Sequence, residues 1–226
     1  MRQFCEDIKN AIRYALSDRY AIIVIGGIFL LASLINKYAG NFLRLSNLIL
    51  LYVVGYASFI SWYTINGRDK HPNLRNVKRM AWEGFKKSTI TMVYSFFLAI
   101  AALNANSFYS SGSYLPAIVL TVLFAMIYLT LIGGLFNRYL NGGVFLKAFD
   151  VPEIVRLLRS FDKRTFIRVI VAVIISQTFV VAVFVNFEQG FSLLELLFTI
   201  STFFLSPFLY IATKRLTGLQ VRNLLN

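Results

Sequence analysis

"NGRDKHPNLRNVKRMAWEGFKK" occupies residues 66–87 and gathers seven of the chain's 23 lysines and arginines with its one histidine, His71. The stretches on either side carry almost no charge. A basic island between two long apolar runs is the pattern of a connection between membrane-spanning helices, held on the side of the bilayer where cations accumulate. The fold therefore follows from how often this alternation recurs.

The composition points the same way. Hydrophobic residues make up 58% of the 226 and charged ones 15%, with 22 phenylalanines and a mean hydropathy of +0.66. A soluble domain carries about 25% charge, so the class is integral membrane, all-α, and a single membrane domain over 1–226. No Pro/Gly/Ser-rich linker divides it. The single cysteine, Cys5, excludes an intramolecular disulfide and reads as an inert thiol, with a reactive or modified one as the alternative. Met1–Tyr20 is charged throughout with no apolar core of a signal peptide, so the first apolar segment is expected to stay as an anchor.

Six segments reach, or nearly reach, the roughly 17–25 residues a span requires. They are Tyr20–Ile35, Leu48–Ile65, Ser88–Leu103, Leu115–Phe136, Phe166–Val185 and Leu193–Thr213. Pro207 is expected to kink the sixth unless neighbours satisfy the carbonyl it frees. Of the 23 basic residues, 21 fall on one side of this arrangement, and Lys37 and Arg44 are the two on the other. The positive-inside rule makes the rich side cytoplasmic, with both termini there and the protein in the cell membrane. The formal charge of +13 is thus an orientation signal. Nucleic acid is not an expected partner, because that face has no stacking platform and no recognised binding motif. Anionic lipid is, at about 1 kcal/mol per basic residue near the surface.

The basic island is also amphipathic. From Asn73 onward, Leu74, Val77, Ala81 and Phe85 recur at helical spacing against Arg75, Lys78, Arg79 and Lys86, which predicts a helix lying in the interface. The pattern appears twice more. Phe4, Ile8, Ile12 and Leu16 oppose Glu6, Lys9 and Arg13; Val151, Ile154, Leu158 and Phe161 oppose Glu153, Arg156 and Arg159. Asp150 and Glu153 have capping-box spacing, with Pro152 in the first turn. Short breaks, Ser17–Arg19, Lys86–Ser88 and Phe161–Arg164, lead into each following pair of spans. The expectation is six transmembrane helices as three hairpins, each preceded by an amphipathic interfacial helix on the cytoplasmic side. The pseudo-repeats run approximately 1–66, 67–140 and 141–226.

An ordered set of residues adds a family resemblance. It comprises Tyr14, Ser17 and Asp18 before the first span; Gly55 and Tyr56 in the second; Gly67 and Pro72 in the loop; then Trp82, Gly84, Lys86 and Tyr94. With "FLKAFDVPEIVRLLRSF" (145–161), the chain resembles domain of unknown function 4013, a family of archaeal multi-pass membrane proteins. The resemblance implies no activity. The stretch between Gly67 and Pro72 departs from it, reading Arg-Asp-Lys-His where an acidic loop is usual.

Chemistry is sparse. His71 has no Cys or His partner for a metal and reads as a solvated loop residue. Asp150 and Glu153 read as a helix cap rather than an acid–base pair, and Asp69 and Glu83 as moderators of the basic face. No phosphate loop, nucleophile elbow or H-E-x-x-H occurs, so neither an enzyme nor a cofactor is expected. Gly26–Gly27, Gly55 with Ser58, Ser95 with Ala99 and Gly133–Gly134 are candidates for close helix approach. The leading expectation is a non-enzymatic membrane protein that organises or docks anionic lipid, or a partner membrane subunit or second copy, at Arg75, Lys78, Arg79, Lys86, Arg156 and Arg159. The alternative is a transporter or permease for an uncharged or amphipathic solute, resting on the intramembrane polar residues Ser176, Gln177 and Thr178.

Overall fold

The computed structural model describes residues 2–38, 43–164, 166–174 and 193–223, which contain no strand. The elements are α1 (Arg2–Ser17), α2 (Arg19–Tyr38), α3 (Leu43–Ile65), α4 (Val77–Ser110), α5 (Tyr114–Leu140), the 3₁₀ turn η1 (Phe145–Phe149), α6 (Val151–Ser160) and α7 (Leu193–Arg222). Among the described residues, three helices are long and apolar enough to cross a membrane: α3 over Leu48–Ile65, α4 and α5. Gln3–Ser17 and Arg19–Ala32 meet the same test only together, as a pair bent by 78°. That bend sits at the expected Ser17–Arg19 break, where the Asp18 Oδ1 accepts the Ala21 N–H (2.9 Å) and caps α2. The fifth expected span lies mostly outside the described residues, as do Ser176, Gln177 and Thr178.

One surface helix is not separate. Residues 73–85 were expected to end at Lys86–Ser88, yet α4 runs through that stretch without interruption for 34 residues. Lys-Lys-Ser contains neither Gly nor Pro, and once a helix is nucleated each further residue is cheap to add. Nor does the helix begin at Asn73. The Asn76 Oδ1 accepts the Arg79 N–H (3.3 Å), making Asn76 the cap.

The described residues gather into two compact units, Met1–Phe85 with Asp162–Asn226, and Lys86–Phe161. Helix α4 belongs to one unit at its start and to the other beyond it.

In the first unit, Ile25 and Phe29 of α2, Val53, Tyr56 and Ile60 of α3, and Tyr210 and Ile211 of α7 form the core. Two close approaches position it. Gly55 and Gly84 place the backbones of α3 and α4 in direct contact, each leaving room only for hydrogen beside a facing carbonyl, Met80 O and Leu51 O respectively. Gly26 does the same against Phe203 O. Pro207, four residues on, has no N–H to offer that carbonyl, so Gly26 supplies a Cα–H in its place within a continuous α7. Gly27, by contrast, faces open space.

Helix α1 has three distinct faces. Ala11, Tyr14 and Ala15 are buried, Ile12 and Leu16 are exposed and apolar, and Lys9 and Arg13 are exposed and charged. Of the expected stripe, Ile12 and Leu16 are exposed, while Phe4 and Ile8 are half-buried and Phe4 lies under Arg168 (4.5 Å).

In the second unit, the C-terminal third of α5 is buried under η1 and α6. Gly133 meets Ile154 and Leu158, and Gly134 meets Ala148 O, so this pair admits the surface helix rather than another span. Tyr94 of α4 stacks on Phe149 (5.6 Å) and donates to Ala148 O (2.9 Å). Asp150 caps α6, accepting the Glu153 N–H (3.4 Å), with Pro152 in the first turn. Elsewhere α4 and α5 expose large apolar side chains, Met92 to 76% and Leu115 to 74%, while Ser95 and Ala99 are also exposed. Contiguous apolar surface of this extent belongs in lipid or against a partner.

Candidate functional site

The polar residues of the first unit converge where the connection between α3 and α4 crosses the α1–α2 elbow. Gly67, at φ +73°, turns the chain out of α3. Residues 69–71 then lie across the elbow. The Tyr14 hydroxyl donates to Lys70 O (3.4 Å), and its ring stacks on His71 with centroids 3.9 Å apart. The Ser17 hydroxyl donates to Tyr14 O (2.7 Å), so it accepts from His71 Nε2–H (2.8 Å). That leaves Nδ1 facing the Asp18 carboxylate at 3.7 Å. Burial holds the imidazole pKa below its ordinary 6.5; Asp18 opposes the shift and Arg215 adds to it. His71 is thus an ordered contact residue, not the solvated one its sequence context suggests.

Arg215 of α7 is 2% exposed. Its guanidinium donates to Thr64 Oγ1 (3.0 Å), Arg68 O (3.3 Å), Asn10 Oδ1 (3.4 Å) and the Asp69 carboxylate, and lies 4.6 Å from the Tyr14 ring centroid. A charge this buried persists only where several acceptors replace its water. Asp69 is therefore an ion-pair partner rather than a moderator of the basic face. Sequence reasoning counted Arg215 only as a cytoplasmic cation. The available signal was its spacing, since Ile211, Arg215 and Leu219 share the face α7 buries. Beside this cluster opens a cavity of about 550 Å³ lined by Glu6, Lys9, Arg13, Tyr14, Asp69 and Arg215. Three cations and two carboxylates give it no strong preference of sign.

The residues expected to bind lipid or a partner divide between the units. Arg75, Lys78 and Arg79 are exposed in the first. The Arg79 guanidinium sits 5.0 Å from the Phe59 ring, and the exposed Trp82 and Phe85 stack beside it at 5.6 Å. In the second, Arg156 and Arg159 are exposed on α6 and Lys86 is half-buried. Lys147 is committed to Asp150 (3.0 Å) and Glu153 (2.8 Å). With Asn137 and Asn141 it draws the Glu153 carboxyl down to about 2. Glu153 therefore serves this cluster as well as the cap.

Several residues that carry the family resemblance pair within each unit: in the first, Tyr14, Ser17 and Asp18 meet the loop behind Gly67 and Gly55 meets Gly84; in the second, Tyr94 meets the 145–161 block. No curated protein and no solved structure matches the chain. The family model for proteins of unknown function DUF4013 does match, over residues 41–188, and the chain belongs to that family.

Proposed function

We infer that this is a non-enzymatic multi-pass protein of the cell membrane that docks anionic lipid headgroups at a basic cytoplasmic side. The observation that carries the reading is the elbow. With α2 crossing a bilayer, a helix bent 78° from it lies close to the membrane plane. The three faces of α1 then turn Ala11, Tyr14 and Ala15 to protein, Ile12 and Leu16 to hydrocarbon, and Lys9 and Arg13 to headgroups. Arg75, Lys78 and Arg79 continue that cationic level beside Trp82, whose amphipathic indole suits an interfacial belt, and the apolar Phe85.

Trp82 offers a local reporter, since the chain has only two tryptophans. In a Trp62→Phe background, brominated phosphatidylglycerol in mixed nanodiscs is expected to quench Trp82 more strongly than brominated phosphatidylcholine at equal mole fraction. The difference should vanish when Arg75, Lys78 and Arg79 are changed to Gln, and should shrink in high salt. Equal quenching by the two lipids in the unsubstituted basic surface would rule the reading out.

A further inference from the structure

A second concavity in the first unit, of about 480 Å³, is lined by Tyr20, Val24 and Ile28 of α2, by Leu48 and Ile49 of α3, and by Arg75 just before α4. We propose that this groove is a specific site for one hydrocarbon tail of an anionic phospholipid, whose phosphate rests on Arg75. The proposal rests on the lipid-docking reading and narrows it from a surface preference to one built site.

The lining has a direction. Tyr20, Val24 and Ile28 recur every fourth residue, so they form one strip running about 12 Å along α2. Every group on that strip beyond Tyr20 is apolar, as are Leu48 and Ile49 opposite. Among the residues lining the groove, Arg75 is the one that carries a charge. Its position is fixed by the backbone: the Asn73 Oδ1 accepts the Arg75 N–H (3.0 Å), and the Tyr52 hydroxyl, in the groove wall, donates to Leu74 O (2.7 Å). Tyr20, 65% exposed, brings a second amphipathic group to the groove. A groove with a mainly apolar wall and a single cation in it is complementary to an amphiphile with one negative headgroup. A neutral solute would leave Arg75 unused, and a soluble anion would leave the strip uncovered. The guanidinium suits a phosphate in particular, because its planar fork offers paired donors.

The experiment is lipid retention. The full chain is reconstituted with phosphatidylcholine containing phosphatidylglycerol as the minor component, then released into mild detergent, and bound lipid is counted by native mass spectrometry. One phosphatidylglycerol per chain is expected to survive. Ile28→Trp, which fills the groove, should abolish retention, while Ile28→Val, which leaves it open, should keep it. Arg75→Gln should lower phosphatidylglycerol retention by about ten- to a hundredfold, the loss of a charge-assisted contact, and remove the preference over phosphatidylcholine. Retention of a free fatty acid or of phosphatidylcholine in the unsubstituted protein, or phosphatidylglycerol that survives Ile28→Trp, would overturn the proposal. Selective quenching of Trp82 without any retained lipid would overturn it too, yet leave the wider reading standing.

Discussion

Replacing Gly55 by alanine tests the packing on which the first unit depends. A Cβ built on Gly55 falls 1.8 Å from Met80 O and 2.9 Å from Gly84 N, whereas ordinary contact begins near 3.4 Å. Met80 O belongs to a helix backbone and cannot rotate away, so α4 must withdraw from α3 by about 1.6 Å. Such overpacking costs typically 1–3 kcal/mol, and the separation also forfeits Cα–H···O contacts of about 0.5–1 kcal/mol each. Against this stands about 1 kcal/mol of helix propensity that alanine gains over glycine. The expected net loss is about 2 kcal/mol. Gly84→Ala should behave alike, since its Cβ would fall 1.8 Å from Leu51 O across the same interface. Once the first substitution has parted the helices, the second Cβ has room. The double variant should therefore lose clearly less than the sum of the single losses, a coupling that non-interacting sites do not show. Gly27→Ala is the internal control, with nothing within 4 Å, and should be neutral or stabilising. The assay is equilibrium unfolding in mixed detergent micelles, with the four variants side by side. If Gly55→Ala proves as harmless as Gly27→Ala, or if the pair is additive, the close-approach reasoning fails.

Two further outcomes follow from the polar cluster. Arg215→Lys keeps the charge but lacks the planar fork that reaches Thr64, Arg68 and Asn10, and should cost about 2 kcal/mol, whereas Asp69→Asn should cost less than about 1 kcal/mol because that carboxylate is 74% exposed; the reverse order in thermal melts would show that the ion pair, not the neutral acceptors, holds the arginine. Because the folded protein holds His71 below its ordinary 6.5, the unfolded chain binds the proton more readily, so stability should be complete above that value, fall as pH drops from 6.5 through the lower folded value, and level off beneath it. His71→Gln should flatten this change between about pH 5 and 8, and an unaltered pH profile in that variant would remove His71 from the elbow's energetics.

Much of the helical order was legible because it rests on local rules. The apolar runs at 48–65 and 115–136 exceed what a soluble helix needs, and α3 and α5 contain them. Asp150, Pro152 and Glu153 announced the start of α6 within one residue. Periodicity was a weaker guide to which face meets what. The stripe through Phe4, Ile8, Ile12 and Leu16 divides into half-buried and exposed residues, and the most buried positions of α1 are Ala11, Tyr14 and Ala15, which it did not contain. Alanines carry little hydropathy signal, yet they let helices approach. The same limit hid the end of the second surface helix: hydropathy changes at Lys86, but the backbone has no reason to break there.

The cluster around Arg215 was hidden for a different reason. Its members come from residues 10, 14, 64, 68, 69 and 215, and no local pattern joins positions so far apart. The sequence by itself determined an oily, helical chain with its cations gathered on chosen connections, because the cost of placing polar groups in hydrocarbon acts on each segment separately. Only the tertiary structure decided which cations are buried, that the one histidine is held, and that an arginine joins the wall of an apolar groove. Those depend on desolvation and contact geometry, which exist only once distant segments have met.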